Sequence, residues 1–183
     1  MRLYEPNHQI LEALRGSNIS LILGVANEDI PRIAKNYSLA QFWLQTNVVE
    51  FQYVDFRYIA VGNNINPLDN DTAKYAPHVV PAMQNMANAV AIARLYRSLH
   101  IRINVSTAIG QDLLSPFMAP TGSAFAWRVW PYIHPVLDFL GKYDYLLLAN
   151  LHTYLPYMSN PKNVTLDYML FTSPSKRSAL LVL

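Results

Sequence analysis

Tyr145-Leu146-Leu147-Leu148-Ala149 is an apolar run flanked by Asp144 and Asn150. A strand with one wet face alternates apolar and polar residues, whereas a strand covered on both faces reads as a continuous apolar stretch. The run therefore predicts a strand over Tyr145–Leu151, buried on both faces. Similar stretches rich in branched residues lie at Arg2–Tyr4, Ser20–Ala26, Arg57–Val61 and Arg102–Ala108, each closed by turn or cap residues. They read as strands of the same kind.

Helical spacing fills the intervals. His8–Arg15 sets Ile10, Leu11 and Leu14 on one face, and Gly16 is placed to stop it. Ile30–Lys35 and Leu39–Val48 read as a broken helical stretch. Val79–Leu99 carries Met83, Met86, Val90, Ala93 and Leu95 at apolar positions, with Pro81 expected in its first turn. Over Ala124–Leu140 the helix is expected to break or kink at Pro131 and Pro135, and from Pro156 onward the chain reads as irregular. Strand and helix alternate, so the class is α/β with a parallel sheet. No linker interrupts it, and residues 1–183 read as one domain.

Composition narrows the function classes. Of the 183 residues 52% are hydrophobic and 14% charged, with a formal net charge of +2. No basic cluster is present to neutralise a run of phosphates, so a nucleic-acid partner is not expected. No apolar run is long enough to span a membrane, and none is expected as a partner. Without cysteine, thiolate metal sites are excluded. His8, His78, His100, His134 and His152 are scattered without ligand spacing, so neither a metal nor a cofactor is expected. The N-terminus has no signal-peptide pattern. N-x-S/T sequons at Asn18, Asn36, Asn70, Asn104 and Asn163 favour a secretory history, although Asn104 lies within a strand.

Polar residues gather where the strands end: Tyr4-Glu5, Asn27, Gly62-Asn63-Asn64, Ser106-Thr107, and Asn150, His152 and Tyr154. In parallel α/β folds ligands bind at that edge. The same residue types also serve as ordinary caps and turns.

The order of several segments carries more than their composition. MRLYEPNHQILEALRGSNISLILGV, then FRYIAVGNN, VVPAMQNMANA, INVSTAI, LLLANLHTYLPY and LFTSPS, resemble in one colinear series the plant endo-1,3-β-glucanases of glycoside hydrolase family 17. The resemblance implies a (β/α)8 TIM-type barrel with a glucan cleft across the carboxyl ends of its strands. The five strands then match barrel strands two to six, an incomplete barrel. A closed one takes about 250 residues. A fragment, a product starting internally, and a chain completed by a second copy that covers the open sheet edges as a homodimer all remain open accounts.

The resemblance also implies site residues. The family's general acid closes a V-G-N-E motif, which here reads Val61-Gly62-Asn63-Asn64, with an amide where the acid is expected. The family's nucleophile lies in an S-E-x-G-W-P-type segment with no counterpart in these residues. The N-x-Y-P-Y stretch appears as Asn150-Leu151-His152-Thr153-Tyr154, retaining the first Asn and Tyr154. Tyr4, Asn63, Asn64, Thr107, Asn150, His152 and Tyr154 are thus the expected sugar-contacting residues. Glu5, Glu28, Asp29 and Asp112 read as turn or cap acids. The expected ligand is 1,3-β-glucan and the expected location secreted or vacuolar. Two functions stand side by side: a catalytically silent, glucan-binding relative, and an active glucan endo-1,3-β-glucosidase completed by other sequence or a partner chain.

Overall fold

The computed structural model describes residues 1–96, 102–114, 124–152, 154–159, 166–170 and 172. Its strands are β1 (Arg2–Leu3), β2 (Ser20–Val25), β3 (Asp55–Asn63), β4 (Asn104–Gly110) and β5 (Leu148–Asn150). All pair in parallel and lie in the sheet in chain order. Between them run α1 (His8–Ala13), α2 (Ile30–Lys35), α3 (Tyr37–Asn47), α4 (Ala76–Leu95) and α5 (Trp130–Tyr143). This is the winding of a (β/α)8 barrel, and the described strands form half of one.

Local chemistry starts and stops the helices. The Asn7 side chain accepts from the Ile10 amide at 3.1 Å at the start of α1, and Asn36 accepts from Ser38 at 2.9 Å at the start of α3. Gly16, at φ +68°, turns the chain after α1 toward β2. The core lies between sheet and helices. Leu21, Leu23, Phe56, Ile59 and Val105 from the strands meet Leu11, Ile30, Met83, Met86 and Ile133 from the helices.

One glycine is demanded by close approach. A Cβ at Gly24 would lie 2.1 Å from the backbone oxygen of Tyr4, so β2 can approach the end of β1 only where the side chain is absent.

Several expectations need correction. α4 begins at Ala76, with Pro77 in its first turn; Pro81 is therefore an interior residue, contrary to the expected first-turn position. Packing of Val79, Ala82, Met83 and Met86 holds the helix despite the missing amide donor. Likewise α5 is unbroken through Pro135, while Pro131 occupies its first turn. The tail is not wholly irregular: α6 (Tyr154–Ser159) and α7 (Leu166–Met169) are helical. Tyr145–Ala149 is not buried on both faces, because Leu146 and Ala149 are exposed and β5 itself covers only Leu148–Asn150. β5 stands at the edge of the described sheet, with a strand on one side only. The end of the Val79–Leu99 helix, His100, Thr153, Asn163 and most of LFTSPS lie outside the described residues.

Phe56 is fully buried within the core. Phe56→Ala should therefore cost about 3–5 kcal/mol of stability, read from the urea midpoint. A loss under about 1 kcal/mol would contradict the packing described.

Candidate functional site

Parallel winding brings the carboxyl ends of β1 to β5 to one edge, and the tip of β3 forms its centre. Gly62 at φ +85° and Asn64 at φ 49° bracket Asn63, so the strand bends twice as it leaves the sheet. Asn is among the few non-glycine residues that accept the left-handed region readily. A Cβ at Gly62 would meet the Ile65 and Ile30 side-chain ends at 2.7 and 2.8 Å, at a φ that side chains rarely adopt, so the bend favours glycine. Two reciprocal bonds tie the tip to β2: the Asn63 amide donates to Asn27 Oδ1 at 2.9 Å, and Asn27 Nδ2 donates to the Asn63 carbonyl at 3.0 Å. On the other side the Asn64 amide donates to the Ala108 carbonyl at 2.9 Å.

Arg2, in β1, organises the side chains. Its Nη1 donates to Asn150 Oδ1 at 2.5 Å and its Nη2 to Asn63 Oδ1 at 2.8 Å. A guanidinium only donates, so both partner atoms must be carboxamide oxygens. The orientation of Asn150 then follows: its Nδ2 points to Asn63 Oδ1 at 2.8 Å and Asn64 Oδ1 at 2.6 Å. An amide nitrogen likewise only donates, so the Asn64 oxygen faces inward. Partial burial disfavours the Arg2 charge and lowers its pKa, with the neighbouring Tyr4 acting in the opposite sense. Tyr4 lies beneath the guanidinium, 4.6 Å from its carbon to the ring centroid.

The structure thus gathers Tyr4, Asn63, Asn64 and Asn150. Asn64 is exposed and Asn63 and Asn150 are partly buried. His152 lies just beyond, its amide donating to Gln111 Oε1 at 3.3 Å and its ring 6.3 Å from that of Tyr154. Tyr154 is 57% exposed. Thr107 stands apart. It is buried near Tyr132 of α5, and neither hydroxyl has a hydrogen-bond partner among the described residues. Burial raises the Tyr132 pKa.

Arg2 was not among the expected site residues, although it sits in the quoted RLYEP string. A strand-end cation with no acid at the matching tip was the available signal. Of the acids, Glu5 and Glu28 are exposed, Asp29 pairs with Arg32 at 3.9 Å, and Asp112 accepts from Asn66 Nδ2 at 2.6 Å. Among the described residues no three His, Cys, Asp or Glu side chains converge as a metal site would require. A 360 Å³ cavity between α4 and α5, lined by Pro77, Val80, Arg128, Pro131, Tyr132 and Pro135 among others, includes none of the strand-tip groups.

Comparison with known proteins gives a consistent result. The model of the family described as "Glycosyl hydrolases family 17" matches residues 1–181. A glucan endo-1,3-beta-glucosidase of Vitis vinifera is 42% identical over 94% of this chain and 49% of its own length. The basic isoform from Phaseolus vulgaris is 41% identical over 96% of this chain and 49% of its own. Among solved structures, a β-1,3-glucanase and allergen of Cryptomeria japonica pollen superposes with a TM-score of 0.82 at 30% identity, covering 96% of this chain and 53% of that one. A chain from a study of two plant β-glucan endohydrolases with distinct substrate specificities superposes at 0.81, also at 30% identity, over 95% and 53%. The chain therefore spans about half the length of the curated relatives it matches.

Asn63→Ala would strip Arg2 and Asn150 of a shared acceptor and leave both donors half-buried without it. We expect a loss of about 1–3 kcal/mol, measured by chemical denaturation. Asn63→Asp, which restores an acceptor and adds an opposite charge, should lose less. Equal losses for the two variants would contradict the acceptor role.

Proposed function

This chain belongs to the glycosyl hydrolases family 17, and on that footing we propose that its strand-end edge binds 1,3-β-glucan while lacking the general acid for cleavage. Residues 1–183 act in this reading as one glucanase-like unit. The observation that carries the catalytic part is Asn64, whose oxygen is turned inward to Asn150 Nδ2. What supports the ligand is the family and the 1,3-β-glucan that its relatives are named for cleaving.

Retaining glycoside hydrolysis uses two carboxyl groups about 5–5.5 Å apart, one protonating the leaving oxygen and one attacking the anomeric carbon. A carboxamide can donate a hydrogen bond to that oxygen but has no proton to transfer at working pH. Loss of a general acid lowers the rate roughly 10²–10⁴-fold, a barrier rise of about 3–5 kcal/mol. Binding does not need that proton. Tyr4 and Tyr154 offer exposed aromatic faces suited to a pyranose ring, with a polar tip for its hydroxyls. A secreted or vacuolar location accords with sequons at Asn18, Asn36 and Asn70, all exposed. No described helix is long and apolar enough to cross a membrane.

Reducing-sugar release from a linear 1,3-β-glucan should fall roughly 10²–10⁴-fold below that of an acid-bearing relative; a rate equal to the relative's would end the silent reading. In affinity electrophoresis through glucan-containing gels the chain should be retarded. Tyr154→Ala should weaken binding by about two- to tenfold. Absence of retardation in the parent chain would remove the glucan-binding reading.

A further inference from the structure

We propose that the tips of β1, β3 and β5 form an anion-accepting site for the carboxylate of an acidic sugar, in which Arg2 provides the charge and the Asn63 and Asn64 carboxamides provide the donors. The inference rests on the reading that a saccharide lies along this edge, and goes beyond it in the ligand's charge.

Most of the polar atoms at these tips are already occupied. Asn63 Oδ1 accepts from Arg2 Nη2 and Asn150 Nδ2, Asn150 Oδ1 accepts from Arg2 Nη1, and Asn64 Oδ1 accepts from Asn150 Nδ2. All three carboxamide oxygens are engaged within the cluster: Asn63 Oδ1 accepts two bonds, and Asn150 Oδ1 and Asn64 Oδ1 accept one each. The Asn150 nitrogen is consumed as well, with one proton for each acceptor. The carboxamide donors that remain are the Nδ2 groups of Asn63 and Asn64, which have no hydrogen-bond partner among the described residues, while Arg2 Nε is buried without one. An incoming ligand therefore meets donors and few acceptors. Sugar hydroxyls can both donate and accept, so a neutral glucan uses such an edge with half its capacity. A carboxylate only accepts, and matches it fully.

Charge points the same way. Among the described residues Arg2 forms no ion pair; the pairs found are Arg15–Glu12, Arg32–Asp29, Arg57–Asp55 and His134–Asp138. An acid at position 64 would answer that charge through Asn150, and an amide leaves it unanswered. The hydrogen bonds also form a directed chain, from Arg2 Nη1 to Asn150, from Asn150 Nδ2 to Asn64, and from Asn64 Nδ2 to the ligand. Bonds in series polarise one another, so the cation strengthens the terminal donor. Bonds from such donors to an ionised acceptor are shorter and stronger than neutral ones. Tyr4, held under Arg2 and 62% exposed, gives the sugar ring a flat face beside the charge. Acids at the same edge oppose the site: exposed Glu5 and Glu28 follow Tyr4 and Asn27, and a Cβ at Gly110 would lie 2.1 Å from Asp112 Oδ1 and 3.3 Å from Asn64 Oδ1, which sets the Asp112 carboxylate close by. It is engaged by Asn66 Nδ2.

The test is calorimetric titration at pH 7 with two probes of one backbone: a 1,3-β-linked glucohexaose and the same oligosaccharide oxidised at C6 to carry carboxylates. The oxidised probe should bind at least about tenfold more tightly, an advantage of about 1.4 kcal/mol, and the margin should shrink as salt is raised. Arg2→Gln and Asn64→Glu should each abolish the preference, and Asp112→Asn should widen it. If Arg2→Gln fails to fold, exposed Asn64 still decides the matter. Equal or weaker binding of the oxidised probe, with the neutral one bound, overturns this inference and leaves the glucan reading standing. Binding of the oxidised probe alone upholds the inference and removes neutral glucan as the ligand. Failure of both probes overturns both.

Discussion

A guanidinium donates and cannot accept, and it cannot be neutralised by losing a proton in a folded protein. At the edge of this sheet that constraint sets everything around it. Arg2 is partly buried, so it must find acceptors, and it finds carboxamide oxygens from β3 and β5. Once those oxygens face the cation, the nitrogens are fixed, and the Asn64 oxygen is drawn inward by Asn150. The three tips become one hydrogen-bonded unit. Unlike a salt bridge, it carries a net positive charge.

The sheet makes that unit possible. β1 reaches its register only because Gly24 leaves room for the Tyr4 backbone, and this places Arg2 opposite Ile22. β3 contributes Asn63 because Gly62 bends it and the two bonds to Asn27 hold the bend. The fully buried residues behind these strands, Leu23, Ile59 and Val105 among them, fix strand positions to within the tolerance that hydrogen bonds require. Core packing and site geometry are therefore linked through backbone position, not through direct contact.

Much of the fold was legible from residue order. Continuous apolar runs located all five strands to within a few residues, and Ile30–Lys35 has the bounds expected of it, because burial imposes a strong and local pattern. The prolines were misjudged because tertiary packing outweighs a single missing donor: Pro81 and Pro135 sit inside helices held by Met83, Met86, Val136 and Phe139. Leu146 and Ala149 misled in another way, since apolar character does not reveal whether the described sheet covers that face. At the edge, Asn63, Asn64 and Asn150 were visible through motif resemblance, and the structure joins them. Thr107 had a suitable type and place in sequence, but strand alternation turns it toward α5. Arg2 was missed because its role depends on partners at positions 63 and 150, and no local pattern records such a distance.

Arg2 dictates the orientation of the Asn64 carboxamide through Asn150. Hydrogen exchange of assigned side-chain amide protons, followed by nitrogen-15 NMR, tests it in the free protein. The account predicts that the Asn150 carboxamide protons are protected while those of Asn63 and Asn64 exchange freely with solvent. Protected protons on Asn64 together with free ones on Asn150 would contradict it, because the donor chain would then run the other way.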